Sequence, residues 1–183
     1  SDGFGFSVLN TAGVPDVPLD IKAEEPNLFL SLGVGFDTSQ DDGEVSDNHI
    51  SLHWNGRTVT EVDVTPFVDL DKGGDSFIRA RIIGSPLRRF QGGEVTIVLQ
   101  ELDSSGNEVG DAMNVIDRQF VPSFVNFLGV DLANDFIPPR AVYFSADNGS
   151  GGGSVDLDNI NILFDPASDE VVEATLQHTE FSA

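Results

Sequence analysis

The chain reads as short runs of β-branched and aromatic residues set between clusters of Gly, Pro, Asn and Asp, and no stretch shows the period of an amphipathic helix. The runs predict strands over 3–9, 28–37, 48–55, 57–63, 77–83, 93–102, 113–116, 140–146 and 155–164. Asn55-Gly56 ahead of Arg57-Thr58-Val59 predicts a two-residue hairpin, because both central positions of the favoured turn need positive φ. Asp103-Ser104-Ser105-Gly106-Asn107 predicts another, between the 93–102 strand and a weaker one. Trp54 alternates with His53 in its strand and is expected in the core, with a stacking platform as the alternative. Many short strands between such turns give an all-β fold, an antiparallel sandwich or barrel.

Between the strands, 64–76 reads as a polar loop with Pro66 and Gly73-Gly74. Residues 117–139 read as a long connection closed by Pro138-Pro139, in which Phe120, Phe124 and Phe127 alternate with polar residues and form an ordered cover over the core. From Asp165 the chain turns acidic and small, so the expected division is a sandwich over 1–164 and an acidic tail or linker over 165–183.

At 183 residues the chain can bury roughly 70% of its unfolded surface in one domain. No apolar run approaches the roughly 20 residues of a membrane span, and Ser1 opens on no signal-peptide pattern. The net charge of −22, from 31 acids against 9 bases, excludes nucleic acid as a natural partner, since phosphate binding needs a positive footprint. The same excess strains the compact state by self-repulsion, which a bound divalent cation or a saline setting relieves. Cysteine is absent, which removes disulfides, thiolate metal sites and cysteine nucleophiles.

Chemistry concentrates between Gly35 and Leu52, where an apolar strand runs into a loop with the acids Asp37, Asp41, Asp42, Glu44 and Asp47 and re-emerges through His49 as a second strand. Hard cations take oxygens from carboxylates, carbonyls and waters, and acids spaced along a loop can turn several inward. Asp37, Asp41 and Glu44 are the inward set this spacing suggests. The glycines 149–153 let a backbone approach a ligand closely, and no helix follows them to make a phosphate cradle.

The Asp-Thr-x-x-(Asn/Asp)-x-x-(Asp/Glu) spacing five residues before a histidine resembles the metal loop of the L-type (legume-type, concanavalin A-like) lectins, in particular their bacterial branch. The opening Ser1-Asp2-Gly3-Phe4-Gly5-Phe6 resembles that family's Ala-Asp-Gly-Phe-Ala-Phe strand, and 141–160 resembles its late strand, glycine-rich specificity loop and following strand. The resemblance implies a concanavalin A-like jelly roll with one Ca2+ held by Asp37, the Ser39 carbonyl, Asp41 and Glu44. It puts His49 in the place of the transition-metal histidine of plant lectins, while Gly35 stands where a second-metal glutamate would be. It also implies a carbohydrate site, for a glycan or polysaccharide, where Asp2, Asp41 and Gly151, Gly152 and Gly153 converge. Two departures bear on the sugar: Asp41 replaces an asparagine and, ionised, only accepts hydrogen bonds, and residues 39–48 contain no aromatic to stack on a hexose.

In that family several strands precede the Asp-Gly-Phe segment, whereas here it opens the chain. Upstream strands, another chain or a permuted order are therefore open alternatives, and an exposed first strand with self-association or an N-terminal partner segment is expected. No enzyme is expected: the Glu-x-Asp-x-x-Glu strand of sandwich glucanases is missing, Asp156-Leu157-Asp158 lacks a glutamate in reach, and no Gly-x-Ser-x-Gly elbow occurs. The resulting expectation is a calcium-dependent carbohydrate-binding module, extracellular or at the cell surface. The alternative is a structural or adhesive subunit that keeps the calcium and not the sugar.

Overall fold

The computed structural model describes residues 2–10, 24–29, 31–71, 77–84, 93–122, 140–148, 155–163 and 172–181. They form ten strands: β1 (Asp2–Asn10), β2 (Ser31–Asp37), β3 (His49–Trp54), β4 (Thr58–Asp63), β5 (Phe77–Gly84), β6 (Gly93–Leu102), β7 (Glu108–Val121), β8 (Arg140–Asn148), β9 (Val155–Leu163) and β10 (Val172–Phe181). Two five-stranded sheets result, ordered β4-β3-β2-β1-β8 and β7-β6-β5-β10-β9, with every neighbouring pair antiparallel. The fold is an all-β sandwich, as the sequence pattern predicts.

Strand alternation explains how the two sheets share one core. Phe4, Phe6 and Val8 of β1, Leu32, Val34 and Phe36 of β2, and Ile50, Leu52 and Trp54 of β3 all point one way. They join Ala80, Ile82, Val95, Ile97, Leu99 and Ile116 of the second sheet in a single buried cluster. The register sets Phe4 opposite Phe36, and their rings stack with centroids 4.4 Å apart. Trp54 is 3% exposed and its Nε1–H donates to the Pro122 carbonyl at 2.8 Å, so it belongs to the core.

Both predicted hairpins form. Asn55 and Gly56 adopt φ of 52° and 76°, and the Trp54 and Arg57 backbones bond to each other across them. In the second, Asp103 Oδ1 accepts the N–H groups of Ser105 and Asn107, with Gly106 at φ 79°.

Three expectations change. Residues 172–181, read from the sequence as part of a tail, make β10, which pairs with both β5 and β9 inside the second sheet. The weak 113–116 strand is the middle of the 14-residue β7, whose bulges against β6 break a simple alternation. The opening strand is no exposed edge, because β1 pairs with β2 on one side and β8 on the other. The self-association expected from that edge therefore loses its physical basis. The glycines Gly151, Gly152 and Gly153, together with Phe124 and Phe127, lie outside the described residues.

The other face of the first sheet is the unusual one, for every residue of β2 and β3 is buried on both faces. Its outward positions are small or polar: Gly33 and Gly35 on β2, and His49, Ser51 and His53 on β3. Residues 24–29 run across this face without regular structure, burying Glu24 and Pro26. A Cβ at Gly33 would meet the Pro26 carbonyl, and one at Gly35 would meet both the Glu24 carbonyl and the Ser51 hydroxyl. These glycines are what lets a backbone strap lie directly on the sheet. Gly35→Ala is accordingly expected to cost about 1 to 3 kcal/mol, as overpacking does, by lifting the strap. Urea denaturation checks this, and a wild-type midpoint in the variant would refute it.

Candidate metal centre

Three segments converge at the end of this outer face. Asp37 closes β2 and His49 opens β3, and the two are register partners. The strap brings Glu25 over them. One oxygen of Glu25, one of Asp37 and a ring nitrogen of His49 lie within 4.8 Å of one another, and Asp37 and His49 are 0% exposed.

Local hydrogen bonds fix how each donor points. Asp37 Oδ1 accepts the Ser39 N–H at 2.8 Å, which leaves Oδ2 buried with no partner. His49 Nδ1 lies 2.9 Å from the Ser46 carbonyl, and a carbonyl only accepts, so Nδ1 carries the hydrogen. Ser46 is itself held, its hydroxyl donating to Asp63 Oδ1 at 3.1 Å. Next to His49, Asn48 spans to the 64–71 loop, donating to the Val68 carbonyl at 2.7 Å and accepting the Leu70 N–H at 2.9 Å. His49 Nε2 is thereby aimed at the carboxylates. It sits 3.8 Å from Glu25 Oε1, an ion-pair distance when the ring is protonated but too far for a hydrogen bond, and neither buried atom has a hydrogen-bond partner.

A histidine that donates one N–H to a backbone carbonyl and presents its other nitrogen to carboxylates is arranged as metal-ligating histidines are. Buried polar atoms without partners are costly, and here Glu25 Oε1, Asp37 Oδ2 and His49 Nε2 are three in one place. Ions of the first transition row bind such donors at roughly 2.0 to 2.2 Å, which sets neighbouring donors roughly 3 to 3.5 Å apart. The trio, within 4.8 Å of one another, would draw together by about 1 Å or more to hold one.

The electrostatics agree. Burial drives the Asp37 carboxyl up to about 6, with the neighbouring charges of Glu44 and Glu24 adding to it against the Ser39 hydrogen bond. Burial alone would lower His49, but the Glu25 carboxylate, the Ser46 carbonyl and the charges of Asp37 and Glu44 outweigh it and lift the imidazole to about 9. Burial likewise opposes ionisation of Glu25, yet His49, His53 and Ser51 together hold its carboxyl well below the ordinary range. The pocket attracts positive charge, and without a metal it takes that charge as a proton on His49.

The sequence-derived set is divided by the structure. Asp37 and His49 come together, with Glu25 beside them. Ser39 serves Asp37 through its N–H. Glu44 Oε2 accepts the Asp41 N–H at 2.6 Å, while the Asp41 side chain is exposed, so these two brace the loop between them. Among the described residues the only grouped set of potential ligands is Glu25, Asp37 and His49. Asp2 begins β1 opposite Asn148, the last residue of β8, and its neighbour Gly3 pairs with Asp37. Asp2, Asp37, His49 and Asn148 therefore end their strands at the same end of one sheet.

Sequence reading missed Glu25, because nothing local separates it from a solvated acid. The available signal was Gly33 and Gly35 alternating with His49, Ser51 and His53 on one face, which marks a face that packs on backbone. Comparison with protein-family models, curated proteins and solved structures returned no match.

Proposed function

We propose that this chain is a divalent-cation-dependent carbohydrate-binding module acting outside the cell or at its surface. The observation that carries it is the set of buried, unpartnered donors on Glu25, Asp37 and His49, set at the sheet end where Asp2 and Asn148 also terminate. The cation fixes the start of the 38–48 loop and its charge stabilises the acids around it. An imidazole donor beside two carboxylates favours a first-row transition ion such as Mn2+ or Zn2+ over Ca2+. Ca2+ on Asp37, the Ser39 carbonyl, Asp41 and Glu44 is the competing assignment, and it predicts indifference to His49. The sugar part rests on the resemblance to L-type lectins together with this clustering, with Asp2 and Asp41 accepting from sugar hydroxyls.

A glycan array run with and without chelator tests the reading, followed by titration of any hit. Asp2→Ala is expected to weaken binding at least tenfold, since one hydrogen bond to an ionised acceptor is worth about 1.5 to 3 kcal/mol, and to leave cation affinity unchanged. A glycan whose affinity ignores both Asp2→Ala and the chelator would refute it. Cation binding without any glycan would favour a structural or adhesive subunit, the reading that the exposed, acceptor-only Asp41 side chain supports.

A further inference from the structure

Of the three donors, only Glu25 comes from a segment without regular structure, so something else must hold its carboxylate in place. His53 does so. Its Nε2 lies 2.9 Å from Glu25 Oε2, and since a carboxylate oxygen only accepts, Nε2 carries the hydrogen. Its Nδ1 lies 3.2 Å from the Thr58 hydroxyl. The Ser51 hydroxyl lies 2.8 Å from the same Nε2 and helps hold the Glu25 carboxyl ionised. His53 is fully buried and two strand positions removed from Ser51, four from His49, on the same outward face of β3.

The consequence is a division of labour within one carboxylate. Oε2 is committed to His53, and Oε1 is left facing His49 Nε2 with no hydrogen-bond partner. Lifting the strap would remove Glu25 and leave only Asp37 and His49, two donors where three stand now. Gly33 and Gly35 give the strap backbone its seat.

We infer that His53 is a positioning residue that aims Glu25 into the cation site, and that cation binding and the seating of residues 24–29 on the outer face of the first sheet are one coupled equilibrium. This rests on the reading of the trio as a divalent-cation site. Coupling of this kind is reciprocal: a cation that binds the seated strap holds it down, and whatever loosens the strap weakens the cation. The cation thus controls whether the outer face of the sheet is covered.

The test uses Mn2+ alone as the probe, with no glycan. Calorimetric titration of the wild type, His53→Leu and His53→Gln gives three affinities. Loss of a residue that orients a ligand costs about 10 to 100-fold in metal affinity, so His53→Leu is expected to bind that much more weakly. His53→Gln, whose amide N–H can reach the position of the imidazole Nε2, is expected to recover most of the loss. A residue that only fills space would show no such recovery. In parallel, hydrogen exchange of the Asn27 and Leu28 amides in the wild type is expected to slow when Mn2+ is added and to quicken again with chelator. That measurement decides the matter even if His53→Leu fails to fold. Equal Mn2+ affinity in a folded His53→Leu, or strap exchange indifferent to Mn2+, overturns this inference while leaving the cation site standing. A wild type that binds neither Mn2+, Zn2+ nor Ca2+ overturns both.

Discussion

Asp37→Asn is expected to stabilise the cation-free protein and to abolish its response to metal. Asp37 is 0% exposed, and burial raises its carboxyl from the ordinary 3.8 to about 6. At pH 7 the buried charge therefore opposes folding, by on the order of 3 kcal/mol at 1.36 kcal/mol per pKa unit. Asparagine keeps an oxygen for the Ser39 N–H and removes the charge. In a domain of this size each kcal/mol moves the melting temperature by roughly 2 to 4 °C, so a gain of several degrees in chelator is expected. Mn2+ or Zn2+ at a hundredfold excess over Kd should add about 2.7 kcal/mol to the wild type and nothing to the variant. The two effects have opposite signs in one substitution, which no general loss of packing can imitate. Differential scanning calorimetry with and without metal decides it, and a variant less stable than wild type in chelator would show that the carboxylate is held by something other than a cation.

Part of this was legible from the sequence and part was not. Asn55-Gly56 and Asp103 to Asn107 were readable because turn chemistry is local: positive φ and a side chain reaching two or four residues on need no tertiary context. The place of Asp37 at the end of one strand and of His49 at the start of the next was readable from the pattern. β10 was hidden by its neighbours, although Val172, Ala174 and Leu176 alternate with Glu173, Thr175 and Gln177 as a half-buried strand does. The acidic run ahead of it masks that alternation. Glu25 could not be read from its own surroundings, since its role depends on a strap that lies on residues 33–35 and 49–53 only after the first sheet has formed. Gly35 shows the same logic in reverse. Read as a missing metal donor, it is the residue whose lack of a side chain lets Glu25 in from another segment.

The pH dependence of stability follows from the same three groups and separates the cation-free from the loaded protein. In chelator, His49 is raised from 6.5 to about 9, so its contribution is complete below pH 6.5 and is lost as pH climbs through 9. Asp37 acts in the same direction lower down, its contribution complete below pH 3.8 and lost by about 6. Glu25, held well below its ordinary range, contributes above about pH 4.5 and loses that as pH falls. The cation-free protein is therefore expected to be most stable near pH 4, where Glu25 is ionised and Asp37 still protonated, and to weaken by about 3 kcal/mol between pH 6.5 and 9. A bound metal reverses the trend over that interval, because it competes with the proton for His49 Nε2 and Asp37 Oδ2 and binds more tightly as protons leave. The gap in melting temperature between metal-loaded and chelated protein should widen steadily from pH 5 to pH 9. Melting curves across that range with Mn2+ or chelator measure it directly, and two parallel curves would mean that the metal does not use His49 or Asp37.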